Sequence, residues 1–155
     1  MMQENYLISI VGKQYVDGER GEIQLTTLGS YVTKGKNRYV IYKEYDEDNP
    51  HVPVTSILKI EGDQKVTLIR NGAQNSRLIL EKGQRHQCHY DTGYGSMMVG
   101  IFANHINTDL GDDGGKLEVS YSLDINAGLT SLNEIFISIK EAEQEDVKNR
   151  RTNHS

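Results

Sequence analysis

Three histidine and cysteine positions are the first that could do chemistry. His86, Cys88 and His89 lie close enough to start a metal site. In an extended strand, however, His86 and Cys88 share one face and His89 takes the other. Two same-face ligands do not complete a tetrahedral set, and His51 or His105 would have to arrive from elsewhere. The plainer reading is a half-buried thiol flanked by two polar strand residues, so no metal is expected. The run Asp109-x-Gly111-x-Asp113-Gly114 imitates the start of a calcium loop. It fails at the third ligand position, which is Gly111, and at the twelfth, which is Ser120 instead of a bidentate glutamate. A polar hairpin turn accounts for it better.

Gly93-x-Gly95 suggests a phosphate loop, but Met98 stands at the third glycine position and a strand follows where a helix is required. Glu44, Asp46, Glu47 and Asp48 form an acidic run. Such runs are usually solvated, and acid–base work needs burial or proximity to separate the pKa values. Five scattered histidines and no G-x-S-x-G leave no nucleophile triad to argue from spacing. No catalytic residue and no cofactor is expected.

Tyrosine is the more telling residue type. There are 9 Tyr and no Trp. Tyr31, Tyr39, Tyr42, Tyr94 and Tyr121 fall in or beside strand-like stretches. A ring with one hydroxyl suits a mostly apolar cavity. Filling the barrel, or packing outside it, is the plainer reading.

The elements that must position these side chains are strands. Apolar and polar residues alternate in short runs along most of the 155 residues, with 15 Gly marking the breaks. Tyr6–Val11, Ile23–Thr27, Tyr39–Glu44, Val54–Ile60, Val66–Ile69, Leu78–Leu80, His86–Asp91, Ser96–Ile106, Leu117–Ile125 and Ile135–Ile139 are the candidates. Asn71-Gly72 is the strongest hairpin signal, because a type I′ turn requires positive φ at both central residues. Gly29 is expected to bend the second strand before Tyr31. Leu117, Val119, Tyr121 and Leu123 have the cleanest period of two. They are expected to face inward with Ile135, Ile137 and Ile139 and with Met97, Val99, Ile101 and Ala103. The phase breaks before Ile106, so a bulge near Asn104 is expected.

Short links favour an up-and-down meander, and a meander this long hides its edges best by closing. The fold expected is all-β, a single antiparallel barrel of about eight to ten strands. Residues 1–141 form the barrel domain and 142–155 a charged tail in this reading.

The stretches Tyr90-x-Thr92-x-Tyr94-Gly95, Met97-x-Val99-x-Ile101 and Gly115-x-Leu117-x-Val119-x-Tyr121-x-Leu123 resemble the YwiB-like family of small bacterial β-barrels. Gly18-Glu19 and Lys65-Val66-Thr67-Leu68-x-Arg70-x-Gly72 fit the same pattern, and the likeness spans about residues 6 to 141. It implies a calycin-type barrel distantly similar to lipocalins, in a family whose function is not known. The lipocalin Gly-x-Trp is missing, and Gly93 stands where Pro is expected in many relatives.

Charge and composition narrow the partners. The formal net charge is -5, from 17 Lys+Arg against 22 Asp+Glu. That disfavours nucleic acid and anionic membranes, both of which recruit basic surfaces. Cys88 is the one cysteine, and the first residues carry no secretory pattern, so a reducing cytoplasm is expected. The leading expectation is a non-enzymatic barrel holding a small, partly apolar ligand at its mouth. The alternative is a protein-interaction module using a strand edge or acidic loops, and a small enzyme comes third. A ligand is expected beside the Tyr90–Gly95 corner, against Tyr94, Arg85 and His86, with Tyr121, Tyr42 and Tyr31 as further contacts.

Overall fold

Period-two alternation builds ten strands in the computed structural model, which describes residues 4–46, 49–72, 75–91, 95–125 and 128–143. They are β1 (Tyr6–Val16), β2 (Glu19–Lys34), β3 (Asn37–Asp46), β4 (Asn49–Glu61), β5 (Lys65–Asn71), β6 (Ser76–Glu81), β7 (Arg85–Asp91), β8 (Ser96–Gly111), β9 (Gly114–Ile125) and β10 (Gly128–Glu141). Each ladder is antiparallel, and the order is β6-β5-β4-β3-β2-β1-β10-β9-β8-β7. Consecutive strands are neighbours except β6 and β7, and β1 pairs with β10. The sheet therefore curls into a nearly closed up-and-down barrel, as the alternation implied.

The core follows the pleat. Ile8, Val40, Ile60, Val66, Val99, Ile101, Leu117, Val119, Ile137 and Ile139 are all buried on the inner face. Ile135, Tyr121 and Leu123 pack against them while partly exposed. In β8 the pairing runs Ala103↔Tyr121 and then His105↔Ser120, so Asn104 is the extra residue of a bulge. That slip restores Ile106 to the interior. Met97 departs from the expected set. It is 38% exposed, because β8 there runs beyond the packed middle of the barrel.

One local expectation is corrected. Asn71-Gly72 does not form a type I′ turn: Gly72 is not among the residues with positive φ, and Arg70 pairs with Ser76 across a longer link. An added Cβ at Gly72 would stand 3.0 Å from Val54 Cγ2. The type I′ geometry occurs at Asp17-Gly18, with φ of 49° and 80°. Gly29 lies within β2, which runs on to Lys34. It lets strands approach, since a Cβ there would stand 2.4 Å from Ile8 Cδ1 and from the Ile41 carbonyl oxygen. Tyr45 and Asp46 end β3, and Asn49, Pro50 and His51 begin β4. Pro50 and Pro53 sit in the arm of β4 that has no β5 partner, since that ladder starts at Thr55.

Two irregularities shape the barrel. The first is the seam between β6 and β7, which side chains and a turn close in place of a ladder. Cys88 Sγ accepts the Ile79 N–H at 3.4 Å. The His86 ring nitrogen Nε2 lies 2.8 Å from Glu81 Oε1. The Gly83 N–H donates to the Ala103 carbonyl at 3.0 Å. The second is a fork. β2 and β3 pair only from Gly29↔Tyr42 to Lys34↔Asn37, and then diverge.

Candidate functional site

Alternation decides which end of the barrel each candidate residue serves. The near end is where β1 starts and β10 finishes. The far end carries the links β1–β2, β3–β4, β5–β6, β7–β8 and β9–β10.

The near end is plugged. Tyr31 is buried and donates its hydroxyl to the Gly111 carbonyl at 2.7 Å. Its ring meets Tyr6 edge-on with centroids 5.5 Å apart. Arg38 Nη1 donates to the Tyr31 hydroxyl at 3.2 Å, to Thr33 Oγ1 at 3.0 Å and to the Gly111 carbonyl at 2.9 Å. Burial raises the Tyr31 pKa, and Arg38 opposes that shift. With its hydroxyl committed in both directions, Tyr31 ties β2 to the β8–β9 link.

The far end is polar on its inner face. Register places Tyr42 opposite Ser56 and Ser56 opposite Arg70, in one row across β3, β4 and β5. Glu44, the next inward residue of β3, holds Arg70 Nη2 at 2.5 Å. Tyr42 is 7% exposed and Ser56 is 0% exposed. The Ser56 Oγ has no hydrogen bond of good geometry among the described residues. Tyr42 is close enough to feel it, together with Glu44 and Arg70. Burial chiefly raises the Tyr42 pKa, Glu44 adds to the rise, and Ser56 and Arg70 oppose it.

The facing wall is built from β9 and β10. Tyr121 lies opposite Asn133. Asn133 is buried and donates to Ser131 Oγ at 2.9 Å. Burial, with a smaller contribution from Tyr90, pushes the Tyr121 phenol up to about 12. Thus two of the expected tyrosines, Tyr42 and Tyr121, share the far half of the interior, while Tyr31 lies at the other end.

Arg85 and His86 are placed differently from what the sequence suggested. They begin β7, and Asp91, beside the Tyr90–Gly95 corner, ends it. At strand rise that separation is about 20 Å. Arg85 points outward, where it binds Asp124 through contacts of 2.6 and 3.0 Å. Those hydrogen bonds hold the Asp124 carboxyl below its ordinary range. His86 points inward and serves the seam. Tyr94 lies outside the described residues, as do Thr92 and Gly93. Among the described residues no group of three His, Cys, Asp or Glu converges as a metal site.

Ser56, Arg70, Asn133 and Glu44 as an ion-pair partner were not expected as site residues. The signal was present: Ser56 interrupts Val54-x-Ser56-x-Leu58-x-Ile60, and Arg70 interrupts Val66-x-Leu68-x-Arg70, both at inward phase. A cleft of about 350 Å³ also occurs at the β8 bulge, lined by Tyr15, Asn104, Ser120, Tyr121, Leu132, Asn133 and Glu134.

A family model described as domain of unknown function (DUF1934) matches residues 8–137. The chain belongs to the DUF1934 family. The crystal structure of the ywiB protein from Bacillus subtilis superposes on this DUF1934 chain with a TM-score of 0.74 at 21% identity, covering 92% of this chain and 96% of that one. At that identity the likeness shows a shared barrel fold. No curated protein matches this DUF1934 chain. No helix among the described residues is long and apolar enough to cross a membrane.

Proposed function

We propose that this DUF1934 barrel binds a small, partly apolar ligand at its far end. The observation that carries the reading is the inward row Tyr42–Ser56–Arg70. It includes a fully buried serine oxygen without a well-formed hydrogen bond. Buried polar groups are normally paired, and a guest hydroxyl, amide or carboxylate would pair this one. The apolar middle of the barrel supplies a floor for the rest of such a guest, in keeping with small barrels binding at their mouths.

Binding is favoured over catalysis by what the polar groups already do. Glu44 spends its carboxylate on Arg70, and burial keeps the Tyr42 phenol protonated. A phenol held protonated is not a proton carrier poised near neutral pH. A cytoplasmic setting is part of the same proposal, because the single thiol is buried and engaged within the fold.

Native mass spectrometry of the protein purified from its own cells tests this. The expected result is an added mass on the wild type that Arg70→Ala loses and Arg85→Ala keeps, since Arg85 faces outward. An added mass retained by Arg70→Ala, or none on the wild type, would overturn the site.

A further inference from the structure

The fork leaves a strand edge without a partner. β2 pairs with β1 along the whole length of β1, from Val16↔Glu19 to Tyr6↔Gly29, without a bulge. On its other side the ladder to β3 begins only at Gly29. Among the described residues, nothing pairs with that side of β2 from Glu19 to Leu28.

Hairpin geometry fixes which backbone groups face outward there. Both β2 hairpins have two-residue links, so Val16↔Glu19 and Lys34↔Asn37 are the hydrogen-bonded pairs that close them. Odd-numbered residues of β2 therefore aim their N–H and C=O groups at β1, and even-numbered ones aim away. Arg20, Glu22, Gln24 and Thr26 present donors and acceptors to the fork. Ile23, at 76% exposure, stands in the same stretch. The usual guards of an edge are a lysine, a proline, a bulge or a covering loop. This edge has only Glu19, Arg20 and Glu22, and Arg20 is engaged with Glu22 at 3.7 Å.

We propose that a second copy of this chain pairs antiparallel with β2 through this edge, about a two-fold axis at Gln24. Isologous pairing makes each residue meet a partner of its own strand, so the sequence restricts the register. An axis at Glu22 would set two like charges face to face. An axis at Ile23 would leave Leu25 opposite Gly21. With the axis at Gln24, Ile23 meets Leu25 twice, Glu22 meets Thr26 twice, and Gln24 meets Gln24. Like charges do not face each other, the exposed isoleucine is covered, and the outward-pointing amides of even-numbered residues align as a regular ladder. A single added ladder is a small interface, so the pair is a concentration-dependent dimer, not an obligate one.

Two measurements on the full chain decide it. Sedimentation of the wild type over a dilution series is expected to show mass rising toward twice the monomer value as concentration rises. Ile23→Lys is expected to stay at the monomer mass with its melting temperature unchanged. Cysteine cross-linking then tests the register, because Cys88 is buried and leaves an introduced thiol as the reactive one. Gln24→Cys is expected to form a disulfide dimer on mild oxidation. Glu22→Cys is not, because the two copies of that position would sit about 13 Å apart, beyond disulfide reach. A wild type that stays monomeric throughout overturns the proposal, even if the same edge captures some other peptide. So does a Glu22→Cys variant that cross-links as readily as Gln24→Cys.

Discussion

Cys88 Sγ accepts the backbone N–H of Ile79, across the two consecutive strands that share no continuous ladder. Sulfur is a weak acceptor, but the amide it serves has little else to bind in a part-buried seam. Replacing Cys88 with alanine is expected to cost about 1–3 kcal/mol in urea unfolding, the usual penalty for orphaning a buried donor. The wild-type thiol is expected to react with a thiol reagent only at the rate of unfolding or seam opening. A loss under half of the lower bound, or prompt labelling of the native protein, would count against the role.

Burial on the inner face should set the scale of core mutations. Ile137 is 4% exposed and Ile23 is 76% exposed. Ile137→Ala is expected to cost on the order of 2–5 kcal/mol. Ile23→Ala, measured in dilute solution, is expected to stay within about half a kcal/mol of the wild type. Similar losses at both positions would reject the assigned faces.

Close approach at Gly29 predicts a contrast between two glycines. A Cβ at Gly29 would collide with Ile8 and with the Ile41 carbonyl, whereas at Gly12 it would meet nothing within 4 Å. Gly29→Ala is expected to destabilise by about 1–3 kcal/mol, the range for overpacking a filled interior. Gly12→Ala is expected to be neutral or slightly stabilising. Equal melting temperatures for the two variants would contradict the packing at the crossing of β1, β2 and β3.

The Tyr121 phenol predicts how stability falls at high pH. Tyr121 is pushed up to about 12 by burial, with Tyr90 adding to it. In the unfolded chain the same group ionises near pH ~10. The folded state therefore holds this proton more tightly, and the contribution is complete below about pH 10 and lost as pH rises toward the folded value. Chemical denaturation at stepped alkaline pH is expected to show a shallower decline for Tyr121→Phe than for the wild type. Parallel declines would mean that Tyr121 is more solvated than its place on β9 implies.

Much of the fold was legible because one signal, period-two alternation, controls so much of it. Ile135, Ile137 and Ile139 against Leu117 and Val119 announce their shared face, and the displaced Ile106 announces the bulge at Asn104. The site was legible only in part. Tyr42 and Tyr121 were marked by residue type. Ser56 and Arg70 were marked only as polar residues at inward phase, a weaker cue beside hydrophobic runs. Arg85 was misplaced because nearness in sequence to a corner is not nearness in space along an extended strand. Where the β2–β3 ladder stops is a property of coiling across several strands, and no single stretch of sequence records it.

The pairing of β1 with β10 has a consequence for how the barrel is made. Every other ladder joins strands that follow one another, so hairpins can form locally and early. Tyr6↔Glu141 and its neighbours join opposite ends of the meander, and this closure carries the loop entropy of nearly the whole domain. During synthesis, β1 and the strands after it must wait with one edge of the growing sheet bare until β10 emerges. The interval before that last strand docks is when this chain is most exposed to pairing with the wrong partner.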